Sequence, residues 1–232
     1  MSDYEVIERS LTHDRLAQQY EQVTSAYDLN RRLDVLVDEF LAGENLAGKS
    51  VLDAGCGTGR GTERLAKRGA KVTSLDIGPS LVNITRARFP CQALIASVAE
   101  MPFPDGHFDV VFSTEVIEHT PDPLASALEM YRVLKPDGHL VLSTPVWLWQ
   151  LPVRAASVLR LRPFDGFENF LHPASLRRAL QSKGAIVIEH RGIHLLPFQI
   201  KPLLGFIRYM DRFGKPLLPV MINQCIHCVK PA

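Results

Sequence analysis

A short segment, 50–59, limits what this chain can fold into more than any other. The apolar stretch 50–54 leads directly into a turn in which every second residue is glycine, namely Gly55, Gly57 and Gly59. Glycine adopts positive φ without a steric penalty and lets another molecule approach the backbone closely. When such a turn joins a strand to a helix, its N–H groups face the crevice at the carboxyl end of the sheet. The segment therefore predicts an α/β fold with a ligand site at this turn.

The pattern around this segment supports the same fold. Short apolar runs alternate with helical stretches, and this alternation is typical of a parallel sheet with crossover helices. The predicted strands are 50–54, 71–75, 91–96, 108–113, 139–143, 185–190 and 222–229, and the predicted helices include 33–41, 59–68, 80–89, 123–134 and 173–182. Because a long connection separates the last two strands, we expect them to pair as an antiparallel edge. The predicted fold class is α/β: a Rossmann-like, mostly parallel seven-stranded sheet with helices on both faces and an antiparallel edge strand.

By its sequence pattern the chain divides into three parts. Residues 1–48 are predicted to form an N-terminal helical lead-in, and residues 49–145 the core that carries the glycine turn. Residues 146–232 are predicted to add an insertion or lid and the last strands of the same domain, because 147–170 is rich in Pro, Arg and aromatic residues without a clean period. A length of 232 residues is enough for one compact domain with a full core.

Charge and cysteine content exclude several classes of protein. The formal net charge is +1, from 26 Lys and Arg against 25 Asp and Glu, so the basic surplus typical of nucleic-acid-binding proteins is absent. Four cysteines are too few and too irregularly spaced for a disulfide scaffold, which indicates a reducing compartment. Cys225 and Cys228 form a C-x-x-C pair, but without a second pair of ligands they predict ordinary thiols that point to opposite faces of a strand.

Neither export nor a membrane span is predicted. Residues 1–10 carry acidic side chains in place of a cationic start and an apolar stretch, so they do not resemble a secretory signal. The apolar stretches 146–161 and 195–210 are interrupted by charged or amide side chains and fall short of the roughly 20 apolar residues that a membrane span needs. We therefore expect a cytoplasmic protein.

Two ligands of glycine turns compete for this site, a dinucleotide and S-adenosylmethionine. The dinucleotide pattern is G-x-G-x-x-G, and Arg60 and Thr62 stand where its third glycine would be. No Gly-Lys-Ser or Gly-Lys-Thr follows, so a P-loop is excluded as well. The glycine spacing therefore disfavours nicotinamide cofactors and nucleoside triphosphates.

Asp53, Gly55, Gly57 and Gly59 together resemble motif I of the class I S-adenosylmethionine-dependent methyltransferases, an acidic residue followed by Gly-x-Gly-x-Gly. The resemblance implies that S-adenosylmethionine is the cofactor and S-adenosylhomocysteine the product. It also implies that Asp53 helps to orient the methionine part, and that the loop, with Cys56, wraps the cofactor.

Asp76 ends the next predicted strand, and its two carboxylate oxygens suit the two hydroxyls of a ribose. The alternative is that Asp76 caps the helix that begins near Ser80. The resemblance favours the ribose role and adds Ile77 beside it. The stretch from Ser97 and Val98 onward resembles the part of the family that lines the adenine, although Ser97 replaces the acid that most relatives carry there.

The segment Thr114-Glu115-Val116-Ile117-Glu118-His119 follows the fourth predicted strand. Thr114 is assigned to the cofactor site. Glu115, Glu118 and His119 are spaced as on one side of a helical turn, and carboxylate with imidazole suits several divalent metals. The segment resembles the Glu-x-x-Glu-His of the ubiquinone-biosynthesis O-methyltransferases, where it is associated with metal-assisted methylation of a polyprenyl catechol. Three roles stay open: a metal site, a base at His119, or a structural loop. The predicted catalytic residues are His119 and Glu118, with no metal assigned.

Several other polar residues rank below this set. Arg31 and Arg32 match a helix that in the resembling branch meets the cofactor's carboxylate, although adjacent arginines on a helix are usually solvated. His172, His194 and His227 are single histidines in apolar surroundings, where packed or surface roles are common.

The last third of the chain carries more apolar side chains than a sheet edge can cover. They indicate a hydrophobic subdomain, a dimer interface, or a tunnel for an aromatic or isoprenoid acceptor. In the tunnel interpretation, Lys201, Arg208, Arg212 and Lys215 would rest on lipid headgroups, so that a lipid-linked acceptor and peripheral membrane contact are expected. The predicted function is S-adenosylmethionine-dependent methyl transfer to a small apolar or aromatic acceptor at a hydroxyl oxygen. The alternative is a non-catalytic cofactor-binding protein of the same fold.

Overall fold

One twisted sheet organises the protein. The computed structural model describes residues 11–19, 24–158 and 166–232. Seven strands in these ranges form the sheet in the order β3-β2-β1-β4-β5-β7-β6. The strands are β1 (Ser50–Ala54), β2 (Lys71–Asp76), β3 (Gln92–Ile95), β4 (Phe108–Thr114), β5 (Leu134–Pro145), β6 (Ile186–Ile193) and β7 (Asn223–Val229).

Strand directions confirm the predicted fold class. Strands β1 to β5 pair in parallel, whereas β7 runs antiparallel to both β5 and β6. Strand β6 takes the edge position, and the long connection that follows it brings the chain back so that β7 lies between β5 and β6. The antiparallel pairing is therefore made at this edge of the sheet.

Helices cover the sheet. They are α1 (Thr12–Arg15), α2 (Ala26–Leu33), α3 (Arg60–Ala66), α4 (Pro79–Arg88), α5 (Pro123–Arg132), α6 (Gln150–Val158), α7 (Pro173–Ser182) and α8 (Leu204–Met210). Helix α2 continues as a π-helical stretch, Asp34–Glu39. Part of the predicted insertion, 159–165, and the expected N-terminal stretch 1–10 lie outside the described residues.

Several predicted boundaries differ from the structure. The helix predicted from 33 begins at Ala26, and the strand predicted over 185–190 extends to Ile193. A further difference lies between the fifth helix and the fifth strand. The pattern predicts a helix to 134 and a strand from 139, but α5 ends at Arg132 and β5 begins at Leu134. Leu134 pairs with Phe108 and is fully buried, so it belongs to the sheet. An apolar residue at the end of a helix and at the start of a strand gives the same sequence signal, which explains the error.

Two apolar clusters pack on the two faces of the sheet. Successive side chains of a strand point to opposite faces, so Val51 joins one cluster and Leu52 the other. Cys225 and Cys228 are divided in the same way, and both are buried free thiols as predicted. No helix of the described ranges combines the length and apolarity that crossing a membrane requires.

His190, a buried histidine in the edge strand β6, is expected to make the folded state less stable at low pH. Burial lowers the pKa of His190 to about 4, and its Nε2 lies 3.0 Å from Gln224 Oε1. Because the folded pKa is below the unfolded value, this contribution to stability is present above pH 6.5 and is lost as the pH falls toward 4. Between pH 7.5 and 5 the loss is about 2 kcal/mol.

We therefore expect His190→Gln to reduce the acid-induced drop in unfolding free energy by about 2 kcal/mol relative to the parent. Urea titrations at pH 7.5 and pH 5 measure the difference. Replacing the exposed His107 by Gln is the control. If the unfolding free energy falls equally with pH in the parent and in His190→Gln, His190 has the same pKa in the folded and unfolded states.

Candidate active site

A cavity opens at the carboxyl ends of the parallel strands, with about 680 Å³ of empty space that includes its opening to solvent. This is the place where open α/β sheets bind ligands. Its walls come from the ends of strands β1 to β4 and the loops that follow them, and helices α1 and α4 add one residue each. The lining residues are His13, Gly55, Gly57, Asp76, Ile77, Leu81, Ser97, Val98, Thr114, Glu115, Val116, His119, Thr120 and Pro121.

The glycine turn forms one wall. All three predicted glycines have positive φ, 80° at Gly55, 52° at Gly57 and 85° at Gly59. The N–H groups of Gly55 and Cys56 both donate to the carbonyl of Leu75, at 2.7 and 2.9 Å, which ties the turn to β2. Gly55 and Gly57 line the cavity, whereas Cys56 and Gly59 lie outside its lining and shape the turn.

Gly55 is the position of the turn with the least room. A Cβ there would overlap both methyl groups of Val116. We expect Gly55→Ala to cost about 2–4 kcal/mol of unfolding free energy, from the left-handed backbone and the overlap together. Chemical denaturation measures the loss. Adding Val116→Ala should restore part of it, and a double variant no more stable than the single one would contradict this origin.

Asp76 lies at the rim with both carboxylate oxygens anchored. Oδ2 accepts from the N–H of Gly57 and Oδ1 from the N–H of Gly78, both at 2.9 Å. Burial raises the pKa of this carboxyl, and the backbone N–H groups oppose the rise. Each oxygen keeps a further lone pair for a ligand hydroxyl.

The alternative role of Asp76, capping helix α4, is filled by another residue. Asp14 Oδ1 accepts from the backbone N–H of Ser80 and Leu81, at 2.7 and 3.1 Å, and Asp14 Oδ2 accepts from the Ser80 hydroxyl. The absence of a side chain at Gly78 makes room for Asp14. Asp76 therefore remains available to the cavity.

Asp53 lies behind the turn and does not line the cavity. Its Oδ2 accepts from the Thr62 hydroxyl at 2.6 Å, and Thr62 is in turn 2.8 Å from the Ser74 hydroxyl. Burial raises the pKa of Asp53 to about 7. A Cβ at Gly61 would crowd both Asp53 and Phe112, so this carboxyl is packed against the start of α3. These contacts of Asp53 stabilise the glycine turn from the side away from the cavity.

An apolar wall with one hydroxyl completes the far end of the cavity. Ile77, Leu81 and Val98 line it, and Val98 is buried. The Ser97 hydroxyl accepts from the N–H of Ala99 at 3.1 Å and can still donate. Such a surface fits the faces of a flat, apolar ring with a polar edge.

At the opposite end, a hydrogen-bonded row of side chains reaches the cavity. Arg32 Nη1 donates to Thr114 Oγ1 at 2.9 Å. The hydroxyl of Ser143 donates to Glu115 Oε1 at 2.9 Å, so the 3.0 Å contact between Thr114 and Ser143 requires Thr114 to be the donor. Asn223 donates to the other oxygen of Glu115. The donors in this row all point toward Glu115.

Glu115 is held in a strained conformation, with φ at 53°. A non-glycine residue in this region costs free energy and is common where function fixes a side chain. Burial raises the pKa of the Glu115 carboxyl, and the nearby charge of Glu118 raises it further. The Arg32 guanidinium opposes the shift.

His119 and Glu118 have different surroundings. His119 lines the cavity, and its Nδ1 lies 2.7 Å from the carbonyl oxygen of Phe167. Because that oxygen only accepts, Nδ1 carries the proton, and Nε2 is the basic nitrogen of the neutral ring. Glu118 is buried outside the cavity lining, accepts from the Thr144 hydroxyl at 2.9 Å, and has its Oε1 3.9 Å from His119 Nε2. Burial raises the pKa of Glu118.

The metal alternative lacks a suitable set of ligands. Among the residues described here, no three His, Cys, Asp or Glu side chains are grouped so that they could hold a metal ion. Glu118 accepts from the Thr144 hydroxyl, while Glu115 accepts from Ser143 and Asn223. We derive no chemical step through a metal.

Some lining residues have no signal in the sequence. His13, on α1, lines the cavity, and its ring lies 4.3 Å from the His119 ring, centroid to centroid. Leu81, Val116, Thr120 and Pro121 also line it. They are ordinary apolar or turn residues by type, and only the packing of α1, α4 and the loop after β4 brings them together.

Comparisons with known proteins show the family of this chain. A family model described as a methyltransferase domain matches residues 52–142. A ubiquinone biosynthesis O-methyltransferase of Xanthomonas euvesicatoria pv. vesicatoria is 34% identical, with 74% of this chain and 78% of that protein covered.

Two solved structures share the fold. An S-adenosylmethionine-dependent methyltransferase from Mesorhizobium loti has a TM-score of 0.67 at 16% identity, with 89% of this chain and 99% of that one covered. Phosphoethanolamine N-methyltransferase 2 of Haemonchus contortus, in complex with S-adenosyl-L-methionine, has a TM-score of 0.71 at 18% identity, covering all of this chain and 60% of that one. From the domain match and the identity to a curated methyltransferase over most of its length, the chain belongs to the class I S-adenosylmethionine-dependent methyltransferases.

Proposed function

We propose that this enzyme transfers a methyl group to a hydroxyl oxygen of a small aromatic or apolar acceptor, with His119 as the base. The observation that carries the proposal is the tautomer of His119. The Phe167 carbonyl fixes the proton on Nδ1, so the basic Nε2 belongs to a ring that lines the same cavity as Asp76 and the glycine turn. A base is needed because a phenol has a pKa near 10 and is mostly protonated at neutral pH.

The residues around the cavity fit the parts of S-adenosylmethionine. We assign Asp76 to the ribose hydroxyls, and Ile77, Ser97 and Val98 to the adenine. Gly55 and Gly57 let the cofactor approach the backbone, with Thr114 at the methionine end. Asp53, Cys56 and Gly59 act by holding the shape of the turn, as their contacts outside the cavity lining support.

Bound S-adenosylmethionine would supply a methyl group on a sulfonium: a C–O bond would form as the C–S bond breaks, and S-adenosylhomocysteine would leave as a neutral thioether without further activation. The chain then has two tasks, to place the acceptor oxygen in line and to take its proton. His119 Nε2 accepts that proton. Glu118 is a positioning residue, because its oxygen lies 3.9 Å from Nε2 and outside the cavity lining.

Relatives named ubiquinone biosynthesis O-methyltransferases support a catechol or a related phenol as the acceptor. The test is incubation with S-adenosylmethionine and a panel of catechols and simple phenols, followed by mass spectrometry of the products. A methyl ether from a catechol is the expected result. Tight binding of S-adenosylhomocysteine without any methylated product would instead favour the non-catalytic alternative.

A lipid-linked acceptor would bring the enzyme to a membrane surface, and the segment 200–220 supports such contact. It exposes the large side chains of Leu203, Phe206, Tyr209 and Phe213. Lys201, Arg208, Arg212 and Lys215 lie among them, whereas the acid Asp211 is buried and paired with Arg31. Exposed apolar side chains interspersed with cations along one segment suit an anionic lipid surface.

We expect the protein to sediment with vesicles of phosphatidylcholine and phosphatidylglycerol at low salt, and much less with phosphatidylcholine alone. Lys201→Glu with Arg212→Glu should abolish sedimentation. Lys49→Glu with Lys71→Glu is the control, because these lysines lie at the opposite end of the sheet. Equal sedimentation of both double variants would contradict contact through segment 200–220.

A further inference from the structure

His194 is a fully buried histidine in a strained conformation. It follows β6, its φ is 61°, and its backbone N–H donates to Asp211 Oδ1 at 2.8 Å. The rings of Tyr27 and Phe198 lie on either side of it, 5.5 and 5.2 Å away between centroids. Packing and backbone together fix the direction of its imidazole.

The imidazole makes one polar side-chain contact in the described structure. Its Nε2 lies 3.1 Å from Asp28 Oδ1, and its Nδ1 is buried without a hydrogen-bond partner there. A carboxylate only accepts, so Nε2 carries the proton and donates to Asp28. Burial disfavours the charged form of Asp28, but the Arg32 charge and the His194 hydrogen bond outweigh it and lower the pKa of this carboxyl.

Asp28, held by His194, in turn fixes the position of the Arg32 guanidinium. Asp28 Oδ2 accepts from Arg32 Nη2 at 2.7 Å, and Arg32 Nη1 donates to Thr114, which lines the cavity. Four side chains from three distant segments of the sequence thus form one row that runs from the end of β6 through α2 to the end of β4.

The neighbouring Arg31 does not share this position. Its Nε donates to Asp211 Oδ2 at 2.7 Å, and its Nη1 donates to Glu39 Oε1. Both arginines are buried rather than solvated. Arg31, however, pairs with Asp211 in the C-terminal segment and with Glu39 in the π-helical stretch that extends α2. Of the two, Arg32 is the one bonded to a residue of the cavity lining.

We propose that His194 is a positioning residue for the cofactor: through Asp28 it holds the Arg32 guanidinium at Thr114, where Arg32 receives the carboxylate of the methionine part. The inference rests on the proposed function, since it takes Thr114 as the methionine end of the cavity. An arginine side chain has several rotatable bonds, so a fixed partner lowers the entropy lost when it pairs with a carboxylate. His194 therefore affects affinity for the amino-acid part of the ligand alone.

Two ligands separate this role from general damage. S-Adenosylhomocysteine carries the amino-acid group, and 5′-methylthioadenosine keeps the adenosine and sulfur but lacks that group. Calorimetry should show that His194→Phe weakens S-adenosylhomocysteine binding about tenfold and changes 5′-methylthioadenosine binding less than twofold. Arg32→Met should show the same selectivity with a larger loss. His194→Gln, which keeps an N–H donor, should recover part of the affinity.

The control is His190→Gln, at a buried histidine within β6 that bonds to Gln224 instead of Asp28; it should alter neither affinity. Equal losses for both ligands in His194→Phe, or no loss for either, would overturn the inference. If His194→Phe does not fold, Asp28→Asn tests the same row, with the same selective loss expected. A parent protein that binds neither ligand would refute the proposed function itself.

Discussion

Replacing Asp76 by alanine should lower the affinity for S-adenosylhomocysteine by at least about a hundredfold. Its two oxygens are each anchored by one backbone N–H and keep lone pairs for the ribose hydroxyls. Hydrogen bonds to a charged group contribute about 1.5–3 kcal/mol each, and every 1.4 kcal/mol is about tenfold in affinity. Isothermal calorimetry on the parent and Asp76→Ala measures the loss. Asp76→Asn, which keeps one acceptor oxygen, should fall between them.

Asp109→Ala is the matched control. Asp109 is also a strand carboxylate that accepts from a backbone N–H, that of Ser50, but it lies at the amino ends of the strands, away from the cavity. Its removal should reduce stability and leave the affinity unchanged. Should Asp76→Ala bind S-adenosylhomocysteine as tightly as the parent, the assignment of this cavity to the cofactor would be wrong.

The sheet, and the edge of it at which the cavity lies, could be predicted because both follow from local sequence patterns. Strands β1 to β4 are short, mostly apolar runs, and the turn at Gly55, Gly57 and Gly59 marks where the first one ends. The second acid, Asp76, ends the neighbouring strand, and parallel strands place their carboxyl ends together. The positions of the glycine turn and Asp76 at the ends of neighbouring strands were therefore enough to predict that they meet at one edge of the sheet.

Other parts of the site depend on contacts between distant segments, which one sequence does not reveal. Nothing near Asp14 in the sequence indicates that it caps α4, 66 residues later. The proton position on His119 depends on a carbonyl 48 residues away, at Phe167. His194 looks like a packed histidine from its neighbours alone. Its link to Arg32 exists only because β6, α2 and β4 meet in the folded chain.

The spacing of Glu115, Glu118 and His119 shows how a local pattern can mislead. Three and four residues apart, they would share one side of a regular helix. The chain instead forms a single short turn, 117–119, preceded by the left-handed Glu115. That backbone sends Glu115 to Ser143 and Asn223, and Glu118 to Thr144, so the two carboxyls have different partners.

His119→Ala should lower kcat for a catechol by about 10²–10⁴, the usual contribution of a general base. The affinity for S-adenosylhomocysteine should stay within about threefold of the parent, because the ribose and methionine contacts are made by other residues. Steady-state kinetics with a saturating cofactor, together with calorimetry, separate the two effects. His107→Ala, at an exposed histidine outside the cavity, is the control and should behave as the parent.

An acidic acceptor distinguishes a base from a residue that merely shapes the cavity. A nitro-substituted catechol is largely ionised at neutral pH and needs no proton acceptor, so the defect of His119→Ala should shrink to less than about tenfold with it. A variant that has lost only the shape of the cavity would be equally slow with both acceptors. Equal defects would therefore remove His119 from the chemistry and leave it as a packing partner of His13 and Phe167.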